Sequence, residues 1–299
     1  MPSPFGSLPA LPHRELRRPI EGKARVSRSD PMPATTSVAP PRKDPCACCG
    51  ETATPALPGF EAGGLAQSFD LALAKLWLNY QPIVRSQDGA VFGYEALMRT
   101  SEPTLPAPGL LLDAAERLHR TADLGRTVRS RASLPFSDAP AGALLFVNLH
   151  PEDLLDPMLY DPGSALSGFA PRTVLEITER AAISDLGALP ERVQRLRELG
   201  FRIAVDDLGA GYSGLTSFAA LAPEFVKLDM SLIRDVDKDS MRQRIVRSMA
   251  SLCREVGAQV VAEGIEREAE RDTVVSLGCD YVQGYFVARP DRPFPCVNW

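Results

Sequence analysis

The chain has 299 residues, 44% hydrophobic and 24% charged, with a formal net charge of −5, enough apolar material for one large core or two modest ones. No stretch approaches the eighteen or more uninterrupted apolar residues of a transmembrane helix, so a membrane is excluded as a partner. Residues 1–45 carry eight Lys or Arg against four Asp or Glu, which leaves the remainder at −9; that sign is opposite to a broad phosphate footprint and excludes DNA as an expected partner.

Ten of the 27 prolines fall in residues 1–45, among Ser and Arg and without apolar periodicity. This composition predicts a disordered Pro/Arg-rich leader or an over-long start. It lacks the apolar segment of a signal peptide, so a soluble, cytoplasmic protein is expected. Residues 46–70 form a Cys-containing linker that opens on "CACCG". With one C-x-x-C unit and no second pair downstream, Cys46, Cys48 and Cys49 do not complete a zinc site; they are candidate sensor thiols or an inert exposed cluster. Cys253, on the apolar face of a predicted helix, is expected to be a buried core thiol.

Residues 71–299 are expected to form one domain, and from about residue 78 a single grammar repeats in it: a short apolar run ending in a polar residue, then a helical stretch closed by Gly. The runs are "YQPIV", "FGYEAL", "LLFVNL", "TVLEIT", "RIAVDDL", "FVKLD", "QVVAEGI" and "YVQGYF". Asp88-Gly89 between the first two is a hairpin signal, which predicts an antiparallel first step. "ALPERVQRLRELG" places Leu189, Val193, Leu196 and Leu199 on one helical face and stops at Gly200. "SMRQRIVRSMASLCREVG" does the same with Ile245, Val246, Met249, Leu252, Cys253 and Val256, between Ser240 as N-cap and Gly257 as stop. Strands alternating with amphipathic helices predict an α/β fold with a largely parallel sheet.

Polar residues recur at the ends of these runs: Glu95, Asn148, Glu176, Asp206, Asp207, Lys227, Glu263 and Gln283. Ends of this many strands converge on one spot only if the sheet closes, so a TIM-like (β/α)8 barrel with an antiparallel first strand is expected rather than an open doubly wound sheet. Five carboxylates brought together repel unless protons or cations neutralise them. The three histidines do not join them: His13 is in the leader, His119 falls in a predicted helix, and only His150 is near. An all-oxygen donor set predicts Mg²⁺ or Mn²⁺.

"RIAVDDLGAGYSGL" also carries Gly209, Gly211 and Gly214 in G-x-G-x-x-G spacing, with Asp229 about twenty residues on, the layout of a dinucleotide cradle. Asp206 and Asp207 argue against it, because a pyrophosphate would lie beside two carboxylates. An adjacent Asp pair instead suits two metal ions about 4 Å apart, the arrangement used in phosphoester hydrolysis. Lys227 is expected to orient the attacking water or stabilise developing charge.

The blocks "QPIVRSQDGAVFGYEALMR", "FVNLHPEDL", "VLEITE", "IAVDDLGAGYSGL", "FVKLD", "VVAEGIE" and "VQGYFVARP" resemble, in order, the EAL domain, the phosphodiesterase that hydrolyses cyclic di-GMP. The resemblance implies a barrel, commonly a homodimer, that opens cyclic di-GMP to linear pGpG with two Mg²⁺ or Mn²⁺ ions. It implies metal ligation by Glu95, Asn148, Glu176, Asp206, Asp207 and Glu263, with Glu263 as ligand or general base. Lys227 would hold the catalytic water, Gln283 would position water or substrate, Arg99 would touch a substrate phosphate, and Glu179 would steady the loop after the Asp pair. Leu208, Ala210, Gly214 and His150 depart from the family's usual residues. Because no metal-site acid is lost, an active hydrolase is expected; the alternative is a catalytically silent cyclic di-GMP receptor that signals through a protein partner.

Overall fold

A computed structural model describes residues 62–178, 188–209 and 214–299, all within one compact unit, Glu51–Trp299. A first helix, α1 (Ala62–Ala74), precedes strand β1 (Leu76–Arg85), and β2 (Val91–Thr100) follows through a hairpin. Then come α2 (Pro108–Arg117), α3 (Thr121–Ser133), β3 (Leu144–Leu149), β4 (Thr173–Thr178), α4 (Leu189–Glu198) and β5 (Arg202–Leu208). The chain continues through α5 (Gly214–Leu221), β6 (Phe225–Leu228), the one-turn α6 (Met230–Ile233), α7 (Ser240–Val256), β7 (Gln259–Ala262), α8 (Glu268–Leu277) and β8 (Tyr281–Val282).

The eight strands close into a barrel in sequence order. β1 runs antiparallel to both its neighbours, β2 and β8, and the remaining pairs are parallel. The hairpin turns at the expected place: Arg85 grips Asp88 through two hydrogen bonds of 3.1 and 2.9 Å, and the Ala90 amide donates to Asp88. Strands buried on both faces explain why the runs read as apolar blocks. Their outward residues, among them Leu145, Val147, Leu175, Ile177, Val205 and Val226, form the main core beneath the helices. Their inward residues Ile83, Leu144, Phe146, Val174, Ala204, Phe225, Val261 and Tyr281 form a separate plug inside the barrel, tightened by Phe92 stacked on Tyr281 at 3.9 Å.

Four local expectations are corrected. Asp239, not Ser240, caps α7, accepting from the amides of Met241 and Arg242, because Asp239 has the extended backbone of a cap (φ −117°, ψ 104°) and Ser240 is already in the helix. Ile245 and Val256 are exposed, and α7 buries Val246, Ala250 and Cys253 instead, so its core stripe lies to one side of the apolar set. His119 is in the turn between α2 and α3 with φ +53°, not in a helix. Finally, α1 crosses the boundary between linker and domain expected at residues 70 and 71: Leu65 and Phe69 are buried in the main core, and Arg120 bonds Asp70 at 2.7 Å. Among the described residues no helix is long and apolar enough to cross a membrane.

Candidate active site

Side chains on a strand alternate between faces, so the residue two steps toward the barrel mouth from each plug residue also points inward. Stepping up from Phe146, Val174, Ala204, Phe225, Val261 and Tyr281 reaches Asn148, Glu176, Asp206, Lys227, Glu263 and Gln283. β1 runs the other way, so the step from Ile83 goes back to Gln81, which pairs in register with Glu95 of β2. One polar side chain per strand therefore forms a ring above an apolar floor. Gln81 is the member that sequence reading missed; the signal was there, but only for a count run backwards from Ile83.

Lys227 stands at the centre of this ring. Its ammonium lies 2.6 Å from Glu176, 2.6 Å from Glu263, 3.1 Å from Asp206 and 3.4 Å from Glu95. Glu95 is further held by Asn148 at 2.8 Å and Gln283 at 2.6 Å, and Gln283 also reaches Gln81 at 3.2 Å. An ammonium offers three donors, too few for four carboxylates. Oε2 of Glu176 and Oε1 of Gln283 are buried and accept no hydrogen bond, while Oε1 of Glu176 and Oδ1 of Asp206 meet only the Lys227 ammonium, at 2.6 and 3.1 Å.

The titration of the ring follows. Burial pushes the Glu176 carboxyl well up, and the carboxylates of Glu95 and Asp206 add to it against Lys227. Burial likewise drives Glu263 well above the usual carboxylate range despite Lys227. Burial opposes the charged form of Lys227 as well, but the four carboxylates outweigh it and hold its pKa far above normal. For Glu95 burial is outweighed by Lys227 and by the donors Gln283 and Asn148, and its pKa falls.

Asp206 and Asp207 should point to opposite faces of a strand. A register irregularity between Val205 and Leu208 and a left-handed φ of +56° at Asp207 turn the second acid toward the mouth, a conformation Asp tolerates better than most residues. Carboxylate oxygens of Asp206, Asp207 and Glu263 then all lie within 4.8 Å of one another. Asp207 as a residue reaches solvent, yet desolvation of its carboxyl, followed by the charge of Asp206, pushes its pKa up to about 6.

The glycine that follows has a packing role. Gly209 has φ +112°, and a Cβ there would come within 2.4 Å of Leu232 on α6. Asp229, the second half of the dinucleotide pattern, caps α6 by accepting from the Ser231 amide at 2.9 Å. Gly209 and Asp229 thus serve local folding, while Gly211 lies outside the described residues. Arg99 is not in the ring: it stands at the rim of β2, bonded to the carbonyl of Met98 at 2.7 Å. It lines a cavity of about 330 Å³ together with Asn148, His150, Thr178, Leu97 and Leu112. His150 accepts from the Glu152 amide and lies 3.2 Å from Glu116. Glu179, Ala210, Cys46, Cys48 and Cys49 lie outside the described residues.

The EAL domain family model matches residues 66–290. The bifunctional diguanylate cyclase/cyclic di-GMP phosphodiesterase MucR of Pseudomonas aeruginosa is 32% identical over 226 residues, 72% of this chain and 33% of that protein. The chain spans about a third of the length of the curated relatives it matches. Among solved structures, the PaMucR phosphodiesterase in complex with c-di-GMP is 29% identical with a TM-score of 0.68, covering 77% of this chain and 98% of that one. A manganese and cyclic di-GMP complex of Klebsiella pneumoniae BlrP1 is 30% identical with a TM-score of 0.65, covering 73% and 56%.

Proposed function

The chain belongs to the EAL domain family, and we propose that it is an active, metal-dependent phosphodiesterase that hydrolyses cyclic di-GMP to linear pGpG. The observation that carries this reading is the crowding of four carboxylates on one ammonium, which leaves Glu176 Oε2 with no donor and Glu176 Oε1 and Asp206 Oδ1 with Lys227 alone. A charge count supports two cations in particular. With all five acids ionised, Glu95, Glu176, Asp206, Asp207 and Glu263 against Lys227 leave four negative charges, which two divalent ions would neutralise in place of the protons that the metal-free ring favours. The donors are all oxygen, which suits Mg²⁺ or Mn²⁺ over zinc, and Asn148 adds a neutral oxygen.

In this mechanism Glu95, Asn148, Glu176, Asp206 and Asp207 would hold the ions, with Glu263 as a further ligand or as the general base. Bound there, divalent cations supply Lewis-acid activation of water and of the scissile phosphodiester. Lys227, fixed by four carboxylates, directs its protons at the attacking water and at negative charge that builds on the phosphoryl oxygens. As general base, Glu263 would take the proton from that water. Gln283 and Asn148 hold Glu95 in place, and Arg99 at the rim grips a phosphate. Attack by the water oxygen forms one P–O bond and breaks the P–O bond to the neighbouring sugar 3′-oxygen, which leaves as a hydroxyl on receiving the proton taken from that water, and the ring opens.

Incubation of the purified chain with cyclic di-GMP in Mg²⁺ or Mn²⁺, followed by chromatography, tests this reading. Conversion to pGpG by the wild type and none by Glu95→Ala is expected. Saturable binding without turnover in either metal would make the chain a receptor instead. Homodimerisation and action in the cytoplasm belong to the same proposal; light scattering of the eluted protein reads the former.

A further inference from the structure

Three exposed aromatic side chains stand out among the described residues: Trp77, Tyr285 and Trp299. Arg289 lies over the ring of Tyr285 at 4.3 Å, and Arg271 lies over that of Trp299 at 5.2 Å. Trp77 has no aromatic or cationic group on its ring among the described residues, and it is 38% exposed. A large apolar side chain left open beside a catalytic mouth calls for a reason.

Its position supplies one. On β1 the outward residues Leu76, Leu78 and Tyr80 are buried under the helices, whereas Ile83, Gln81, Asn79 and Trp77 climb the inner face from plug to ring to rim. On β2 the matching ladder is Glu95, Leu97 and Arg99. The register pairs Gln81 with Glu95, Asn79 with Leu97 and Trp77 with Arg99. Trp77 is therefore the direct cross-strand neighbour of the rim arginine, four residues and roughly 13 Å above the ring. The indole is also held in place: its N–H donates to Asn79 at 3.1 Å, and the Asn79 amide donates to the Pro290 carbonyl at 3.3 Å. The polar edge is satisfied within the protein, and the residue stays 38% exposed with no aromatic or cationic group on its ring among the described residues.

An aromatic platform beside an arginine is the chemistry that binds a purine next to a phosphate. We propose that Trp77 stacks on a guanine base of the substrate while Arg99 engages the adjoining phosphate, so that the β1–β2 rim orients the dinucleotide over the ring. This rests on the cyclic di-GMP reading given above. Because stacking acts alike on bound substrate and transition state, it lowers KM and leaves kcat nearly unchanged.

The test uses the full chain with Trp77→Ala, Trp77→Phe and Trp299→Phe. Trp77→Ala is expected to raise KM by roughly ten- to a hundredfold with kcat within about twofold, and Trp77→Phe to recover most of the loss. In Ca²⁺, whose looser geometry disfavours turnover, cyclic di-GMP titrated into Trp299→Phe should quench the fluorescence of the remaining Trp77. The same titration of Trp77→Phe should leave Trp299 unquenched. Turnover with an unchanged KM in Trp77→Ala, or quenching that persists in Trp77→Phe, would overturn the stacking role and leave the hydrolase standing. Failure of the wild type both to bind cyclic di-GMP in equilibrium dialysis and to cut it would overturn both.

Discussion

Two clusters in this chain are built alike, several acids around one cation, and they behave in opposite ways. In the barrel mouth, Glu95, Glu176, Asp206 and Glu263 surround Lys227. Outside the strands, Asp235, Asp237 and Glu270 surround Arg267, at 2.9, 2.9 and 2.7 Å. Each cluster brings three carboxylates close enough for an ion. In the outer one the planar guanidinium reaches all three acids, and Glu270 also accepts from the amides of Asp235, Glu266 and Arg267. The charged forms are favoured there: Lys238 holds the Asp235 pKa down, and Arg267 does the same for Asp237. In the barrel, Glu176 and Glu263 are pushed up, and the buried oxygens of Glu176 and Asp206 have Lys227 alone or no donor at all. Saturated charge fastens the start of α8 to the turn after α6; unsaturated charge marks the place where something must bind.

The sharpest way to break this contrast is Glu176→Gln. Turnover should fall by roughly a hundred- to a thousandfold, while thermal stability in chelator should rise by about 1–2 kcal/mol, or some 3–6 °C, since an acid that resists ionisation is replaced by a neutral isostere. A loss of both activity and stability, read by assay and melting curve, would put Glu176 with the structural acids.

Removing the central cation should do the reverse. Lys227→Met leaves four buried carboxylates without their ammonium and should cost about 3–5 kcal/mol, with saturating Mn²⁺ recovering much of the melting temperature. In the outer cluster, Glu270→Gln should cost about 2 kcal/mol through weakened bonds to Arg267 and three amides, with kcat and metal affinity of the folded protein unchanged.

The smallest expected effect is pH dependence at Asp207. Its folded pKa of about 6 lies above the ordinary value of 3.8, so the folded state binds the proton more tightly than the unfolded one. The resulting penalty is absent below about pH 4, grows as pH rises toward 6 and is complete above it. Cations remove that penalty by replacing the proton. The rise in melting temperature on adding Mg²⁺ should therefore be larger at pH 7.5 than at pH 5, and a larger rise at pH 5 would contradict the assignment.

Much of the fold was legible because parallel strands covered on both faces write themselves as apolar blocks. The polar ring was legible because each member ends such a block. Gln81 escaped because β1 is antiparallel and its inner face must be counted toward the N-terminus. The capping role of Asp239 and the exposure of Ile245 and Val256 escaped for a different reason: periodicity locates an apolar face within a quarter turn, but tertiary neighbours decide which edge of it is covered. Arg99 and Trp77 are four residues from the ring along their strands, and only the β1–β2 register makes them neighbours. The joint use of Asp206 and Asp207 was expected from their adjacency, but the left-handed residue and strand irregularity that bring it about are announced by no alternation pattern.

The most direct measurement is equilibrium dialysis of Mn²⁺ against the full chain at pH 7.5, beside Glu176→Gln and Asp237→Asn. Two ions per chain in the wild type, at least one lost in Glu176→Gln and both kept in Asp237→Asn, is the predicted result. Full occupancy in Glu176→Gln, or loss of an ion in Asp237→Asn, would contradict the claim that the unsatisfied acids of the barrel mouth are the cation site.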